Sequence, residues 1–205
     1  MDLKTVQTEL SDEILVTKAR KGDREAFGVL VRRHEMKAIS VAYGVLRNWE
    51  SAKDASQNAF TKAYFGLERF QEKSAFRTWL IRIVLNEAKD VYRKERSRGL
   101  FQFWTAKEED EDSQSILEML PSHDRSALES LEQEELKRNV ERAIRTLPER
   151  AREVFMLRYL HDFSLQEIAE MLGIALGTVK AHLAHGTEKL KSSLRFCHSR
   201  ESGNP

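Results

Sequence analysis

The segment 178–185 carries side chains that suit contact with nucleic acid. Lys180 can bind a phosphate or a guanine edge, and small residues such as Ala181 let a helix backbone approach the bases closely. At helical spacing, Val179 and Leu183 fall on one side of this segment, which leaves the opposite side for a ligand or solvent. The residues expected on that outer surface are Thr178, Lys180, Ala181, His182, Ala184 and His185.

The flanking sequence can place those side chains on the second helix of a helix-turn-helix. Ser164, followed by Glu167 three residues later, is a capping box and predicts a helix start. Gly173 suits the left-handed turn that ends a helix. This arrangement is typical of motifs that enter the DNA major groove. A helical hairpin without a ligand remains the alternative. The apolar face expected on the first helix is Leu165, Ile168, Ala169 and Leu172.

Two further polar faces recur at helical spacing in the first half of the chain. The first could pair with a basic partner helix, or could simply be solvated, and consists of Asp54, Gln57, Asn58 and Thr61. In the second, Lys and Arg can neutralise phosphates while an Asn pairs with a base edge. Its members are Arg82, Asn86, Lys89 and Arg93.

Apolar residues recur at helical spacing in two long stretches, and strand-type alternation is nearly absent. Asp23 is the expected N-cap of one helix, Ser51 or Asp54 of the next, and Ser74 of a third. We therefore expect an all-α protein with two small helical domains joined by a flexible acidic linker, the second domain being the helix-turn-helix. The expected boundaries are a first domain at 1–96, a linker at 97–135, a second domain at 136–196 and a disordered tail at 197–205.

Charge is distributed unevenly along the 205 residues, although the net charge is only +1. Residues 62–98 carry a net +5, residues 99–135 a net −9, and residues 136–205 a net +4. The basic segments could meet a polyanion that repels the acidic one, and solvated faces are the alternative. The acidic segment lacks a hydrophobic face and is expected to be a linker, apart from the apolar island Leu100–Trp104.

Several classes of protein are excluded by what the sequence lacks. No apolar run approaches the ~20 residues of a membrane-spanning helix, and the first residues lack the apolar core of a signal peptide. We therefore expect a cytoplasmic protein without membrane insertion. The single cysteine, Cys197, excludes an internal disulfide framework. Without a glycine-rich phosphate loop or a nucleophile motif, neither enzyme activity nor a cofactor is expected. A metal site is not expected from His182, His185, Cys197 and His198.

Motifs in both halves together resemble one known family. The first half contains KGDREAFGVLVRRH, DASQNAF and FRTWLIRIVLNEAKD, and residues 147–191 read LPERAREVFMLRYLHDFSLQEIAEMLGIALGTVKAHLAHGTEKLK. In this order the motifs resemble bacterial sigma-70-family factors, most closely the ECF (extracytoplasmic function) group. The resemblance implies a transcription initiation factor that binds core RNA polymerase. It also implies that the factor directs the polymerase to −10 and −35 promoter elements and helps to melt the duplex.

The resemblance also implies a role for each surface. The helix that carries Asp54 and Gln57 would dock on the β′ clamp helices of core polymerase. The second domain would contact the −35 element and the β flap. The loop at 70–75 would capture a base flipped out of the −10 element, and the following helix would read the opened strand. An anti-sigma factor that clamps both domains is the expected regulator. The loop candidates are Phe70, Gln71, Lys73 and Ser74.

The recognition helix departs from the family pattern at three positions. Recognition helices of the family often carry Arg where this chain has His182, His185 and Thr187. Because His is mostly neutral at pH 7, weaker phosphate attraction is expected there.

LuxR-type regulators share a similar GTVKxHL helix but need a βαβ receiver domain, and the first 96 residues show no strand pattern. An all-α protein-binding adaptor is the alternative that does not bind DNA.

Overall fold

The computed structural model describes residues 10–97, 139–140 and 142–201, with side chains up to residue 192. These residues belong to two compact units, the first containing 10–97 and the second containing the rest. Within this described part the secondary structure is helical and contains no strand. None of the helices described is long and apolar enough to cross a membrane. The predicted acidic linker, with its Leu100–Trp104 island, and the end of the tail lie outside the described residues.

The described residues of the first unit form four α-helices and one short 3-10 helix. Helix α2 contacts each of the other three α-helices, and α3 packs against α4. Fully buried side chains from several helices, such as Leu15, Leu30 and Leu80, fill the centre. The helices are α1 (Asp12–Arg20), α2 (Arg24–Leu46), α3 (Trp49–Gly66), the 3-10 helix (Leu67–Arg69) and α4 (Phe76–Ser97).

Of the three N-cap predictions for this unit, one is confirmed and two are wrong. The Asp23 side chain accepts a hydrogen bond from the Ala26 amide, so its prediction as the N-cap of α2 is confirmed. The N-cap of α3 is Asn48, so the prediction of Ser51 or Asp54 is wrong. Helix α4 begins at Phe76, one residue too late for Ser74 to be its N-cap.

A polar contact between α1 and α2 is anchored by Asp12. One carboxylate oxygen lies 2.7 Å from Nε2 of the buried His34, and the other accepts a hydrogen bond from Arg33. Partial burial opposes the charged form of this carboxyl. Hydrogen bonds and charge attraction from His34 and Arg33 outweigh burial and lower the pKa of Asp12. Asp12 therefore stabilises the α1–α2 contact in its ionised form.

The second unit contains the predicted helix-turn-helix. The capping box is confirmed because Ser164 and Glu167 each accept a hydrogen bond from the other's backbone amide. Gly173 ends the first of the two helices with a φ of 64°, as predicted. Leu165 and Leu172 are only half-buried, whereas Met171 is buried with Ile168 and Ala169. Residues 139–140 and 142–145 are also helical. The helices with described bounds are α5 (Glu149–Tyr159), α6 (Leu165–Leu172) and α7 (Leu176–Glu201).

Candidate nucleic-acid interface

Helix α7 separates a buried side from the predicted DNA-facing side. Val179 is 0% exposed, and Gly186 packs against Leu147 and Ala151 of the same unit. The backbone therefore lies close to the core at Gly186, which fixes the rotation of α7 about its axis. Of the predicted residues, His182 is half-buried. The other predicted residues are exposed, and they are Thr178, Lys180, Ala181, Ala184 and His185.

Helix α3 presents the second predicted surface, which we call the α3 polar face and which consists of Asp54, Gln57, Asn58 and Thr61. All four residues are exposed. The opposite side of α3 is lined by small buried residues, including Ala52, Ala55, Ala59 and Ala63. Small side chains allow close helix packing, so the alanines orient the polar face away from the core. The Thr61 hydroxyl donates to the Gln57 carbonyl oxygen at 3.0 Å, which leaves the other three side chains as the stronger partners.

The loop between the 3-10 helix and α4 borders a cavity of about 380 Å³, here called the loop cavity. Gln71 and Lys73 are exposed and Ser74 is half-buried, so these predicted residues lie at the surface. Two acidic residues of the wall, one of them from α1, were not predicted from the sequence. The full lining is Glu13, Val16, Phe70, Glu72, Lys73, Ser74, Ala75 and Phe76.

Phe70, one of the predicted base-capturing residues of the loop, is buried. It is only 6% exposed, and its ring stacks on Trp79 with centroids 4.7 Å apart. It also meets the ring of Phe76 edge-on. Phe70 is therefore a core residue that also forms one wall of the loop cavity, and its contact with a captured base stays a prediction.

Arg20, at the end of α1, holds the loop in shape. Its Nε donates to the Leu67 carbonyl oxygen at 3.1 Å, and its Nη1 lies 2.7 Å from Oε1 of Glu72. Its Nη2 donates to the Phe70 carbonyl oxygen, and the guanidinium lies over the Phe70 ring. Glu72 has a φ of 54°, a conformation that non-glycine residues rarely adopt. Sequence reasoning missed Arg20 because its partners are about 50 residues away along the chain.

Helix α4 carries the predicted basic face next to the loop. Arg82, Asn86 and Arg93 are exposed, whereas Lys89 is half-buried. Arg93 hydrogen-bonds to Asp90 and to the Lys89 carbonyl oxygen, so part of its charge is already paired. Arg82 and Asn86 are therefore the members of this face best placed to meet a strand.

A second cavity of about 440 Å³, the α3–α4 cavity, lies beside Asn86. Its walls come from the end of α3, the 3-10 helix and α4. The half-buried Trp79 forms part of this wall. The spacing of apolar residues could not indicate this cavity, because it depends on how α3 and α4 cross. The lining residues are Lys62, Gly66, Arg69, Trp79, Ile83, Asn86, Glu87 and Asp90.

Metal chemistry has no support in the part of the chain that the structure describes. Within that part, no three His, Cys, Asp or Glu residues form a group that could hold an ion. The side chains of Cys197 and His198 lie outside it.

Comparison with known proteins matches both units separately and the chain as a whole. The family described as Sigma-70 region 2 matches residues 30–98, and the family described as Sigma-70, region 4 matches residues 137–190. The ECF RNA polymerase sigma factor SigW of Bacillus subtilis is 33% identical over 191 residues, which cover 88% of this chain and 95% of SigW. The ECF RNA polymerase sigma-E factor of Escherichia coli K12 is 33% identical over 188 residues, covering 91% of this chain and 96% of that protein.

Two solved structures share the fold. The structure of CnrH in complex with the cytosolic domain of CnrY has a TM-score of 0.63 and 26% identity, and it covers 90% of this chain and 97% of CnrH. The sigma factor RpoE, in complex with the anti-sigma factor NepR from Bartonella quintana, has a TM-score of 0.57 and 20% identity. That match covers 82% of this chain and 96% of RpoE.

Proposed function

The chain belongs to the ECF group of the sigma-70 family of RNA polymerase sigma factors, and from that membership we propose which surface carries out each step of promoter recognition. It is a transcription initiation factor whose two units correspond to sigma regions 2 and 4. Core RNA polymerase and promoter DNA are its partners. The domain boundaries proposed from the sequence are 1–96 and 136–196, with the acidic stretch 97–135 between them.

The first unit captures a base of the opened −10 strand in the loop cavity. The observation that carries this proposal is a cavity that exists before any DNA is present, two of whose lining residues, Phe70 and Glu72, are bonded by Arg20. Extruding a base costs a few kcal/mol, and a preformed pocket recovers part of that cost without an ordering penalty. Arg82 on the neighbouring helix then attracts the phosphates, and Asn86 reads a base edge.

Carboxylates in the loop cavity favour bases that carry an exocyclic amine. Glu13 and Glu72 line the cavity beside Lys73. A carboxylate accepts a hydrogen bond from the cytosine N4 amine, and an ammonium can donate to a ring carbonyl oxygen. Thymine offers no such amine and is disfavoured. Cytosine and guanine each carry both an amine and a carbonyl oxygen, so we expect one of these two to be preferred over thymine and adenine.

The second unit places α7 in the major groove of the −35 element. Lys180 contacts a phosphate or a guanine edge, and the exposed alanines allow close approach of the backbone. The uncharged side chains of this surface contribute fewer phosphate contacts than arginines would. Recognition by α7 therefore depends mainly on shape and involves few phosphate contacts. The affinity for −35 duplex should accordingly change only slightly with salt concentration.

Docking on core polymerase is assigned to the α3 polar face, facing the β′ clamp helices, with the second unit on the β flap. The factor acts in the cytoplasm, where core polymerase operates. An anti-sigma factor is its expected regulator, because RpoE from Bartonella quintana was solved with one. No residue of this chain is assigned to that contact.

The test is permanganate footprinting of promoter DNA by core polymerase supplied with the full chain. Run-off transcription from a genomic library first selects promoters that need this factor. Asn86→Ala is expected to change the base preference within the −10 element with little loss of total affinity. Arg82→Ala is expected to lower affinity for all sequences alike and to reduce the salt slope by about one. Failure of the wild-type chain to open any promoter contradicts the proposal.

A further inference from the structure

The most exposed large apolar side chain in the described part of the chain is Phe65, near the end of α3. Its ring is 78% exposed, whereas every other phenylalanine described in the first unit is at most 8% exposed. Removing an aromatic ring from water is favourable, so this ring gains free energy if a partner covers it. Isolated apolar residues are common on protein surfaces, and the position of Phe65 on the helix is therefore the observation that matters.

Phe65 continues the α3 polar face. It follows Thr61 by four residues, Thr61 follows Asn58 by three, and Asn58 follows Asp54 by four. At about 100° per residue, Phe65 lies only about 20° around the helix axis from Asp54 and about 17 Å along it. Spacings of four and three residues are those of the line along which one helix packs on another. A partner that covers the polar face lengthwise therefore also meets Phe65.

The exposed ring is supported from behind by two other aromatic rings. Tyr64 meets Phe65 edge-on with ring centroids 5.7 Å apart, and Tyr64 in turn meets Phe27 of α2 edge-on at 5.0 Å. Phe27 is buried, so this row of rings begins in the core and ends at the surface. The support restricts the positions of the Phe65 ring before binding, which lowers the entropy lost when a partner orders it. Ordered aromatic side chains are typical of the residues that dominate binding energies.

The charges along this line favour a protein partner over DNA. The line contains one acid, Asp54, and no Lys or Arg, so it offers nothing to neutralise phosphates. Lys62, the exposed lysine beside it, pairs with Glu87. Phe65 also lines neither the loop cavity nor the α3–α4 cavity. Core RNA polymerase is the protein partner that the family membership of this chain supplies.

We infer that Phe65 is an apolar anchor with which α3 binds core RNA polymerase. The inference rests on the proposed docking of the α3 polar face and extends that surface by one helical turn. The polar groups set the register of the contact, and burial of the ring supplies affinity. The receiving surface of the polymerase is then an apolar pocket that lies about 17 Å, or three helical turns, from the group that meets Asp54.

The test is the affinity of full-length variants for core polymerase at several salt concentrations. The chain is labelled at its single cysteine, and fluorescence anisotropy reports binding. Phe65→Ala removes the ring, and Phe65→Leu keeps part of the apolar surface. Met36→Ala is the matched control, because Met36 is a 54% exposed apolar residue on α2 rather than α3. Thermal unfolding checks that each variant is folded.

Phe65→Ala is expected to weaken core binding about fivefold or more, with Phe65→Leu intermediate and Met36→Ala unchanged. The factor should be the same at every salt concentration, because salt does not screen an apolar contact. The loss caused by Asp54→Arg with Gln57→Ala should instead shrink as salt rises.

Two results would overturn the anchor and differ in what they leave standing. If Asp54→Arg with Gln57→Ala weakens core binding but Phe65→Ala does not, the anchor is wrong and docking by the polar face stands. If neither variant weakens core binding, the proposed docking surface fails as well. A Phe65→Ala effect confined to DNA binding by the holoenzyme, or to self-association of the free chain, also contradicts the inference.

Discussion

Lys180 and Val179 show how neighbouring residues on one helix serve different purposes. Val179 is fully buried and locks α7 onto its unit, whereas Lys180 points to solvent as the one cation in the predicted DNA-facing set. The spacing of apolar residues was enough to predict this division, because an α-helix repeats every 3.6 residues. Phe70 could not be placed in the same way, since an aromatic residue in a loop suits either a core or a stacking surface.

Removing the Lys180 charge should weaken binding of −35 duplex in a salt-dependent manner. Lys180→Ala eliminates one phosphate contact, so the slope of log affinity against log salt should fall by about one. The measurement is fluorescence anisotropy of the full chain with −35 duplex at several salt concentrations. Lys189→Ala, an exposed lysine on the same helix outside the predicted set, is the control. If Lys180→Ala keeps the wild-type slope of log affinity against log salt, Lys180 does not contact the phosphates.

Asp12 should make the stability of the first unit depend on pH. Its pKa is lowered in the folded chain, so its contribution is present above the unfolded pKa of about 3.9 and is lost as pH falls through the lower folded value. Asp12→Ala should therefore cost about 1–3 kcal/mol at pH 7 and progressively less below pH 4. Urea unfolding at pH 7, 5, 4 and 3 measures this. The exposed carboxylate variant Glu35→Gln should show no such trend, and a cost in Asp12→Ala that is independent of pH contradicts the assignment.

At the scale of elements, local cap signals were predicted well and choices between equivalent caps were not. The caps formed by Ser164 with Glu167, and by Asp23, bond backbone amides only three residues away. Such caps can therefore be predicted from a short stretch of sequence. Asn48 competes with Ser51 as a cap former of similar quality, and packing of the helix decides between them. The two cavities were beyond sequence reasoning because each is formed by side chains from separate elements.

Helix α1 should control the shape of the base-capturing loop through Arg20. Arg20→Ala removes the donors to two loop carbonyl oxygens and to Glu72, so Glu72 should leave its left-handed conformation. The expected result is loss of base discrimination in the loop cavity, measured as the ratio of affinities for intact and abasic −10 strands. Arg20→Lys, which keeps the charge but lacks the planar fork, should restore little of this ratio. An unchanged ratio in Arg20→Ala, with a folded protein, shows that the loop needs no anchor.

The α3 polar face should bind core polymerase without contributing to the fold. Asp54→Arg combined with Gln57→Ala is expected to weaken core binding at least tenfold, or about 1.4 kcal/mol, because the reversed charge at position 54 would repel a basic partner helix. Both residues are exposed, so helix content and unfolding midpoint should stay at the wild-type values. Glu35→Arg, an acid-to-arginine change at an exposed position of α2, is the control. If Asp54→Arg with Gln57→Ala binds core polymerase with unchanged affinity, the docking surface lies elsewhere on the chain.

At the scale of the whole molecule, the charge distribution and the fold support the proposal that the two units divide promoter recognition between them. The +5 segment at 62–98 coincides with the two cavities and the α4 face, whereas the second unit contains the groove-reading helix. The all-α fold and the family were predictable from several motifs in a fixed order. If each unit contacts a separate promoter element as proposed, one chain that carries both units ties strand opening to duplex recognition.

The most direct test of this division is run-off transcription from a closed duplex promoter and from the same promoter with an unpaired −10 segment. Gln71→Ala with Lys73→Ala alters the loop, and Lys180→Ala alters the groove-reading helix. On the unpaired template no −10 duplex has to be opened. The ratio of loop-variant activity to wild-type activity should therefore be much closer to one there than on the closed duplex. Lys180→Ala should keep the same relative defect on both templates. Equal rescue of both variants, or rescue of Lys180→Ala alone, contradicts the assignment of opening to the first unit.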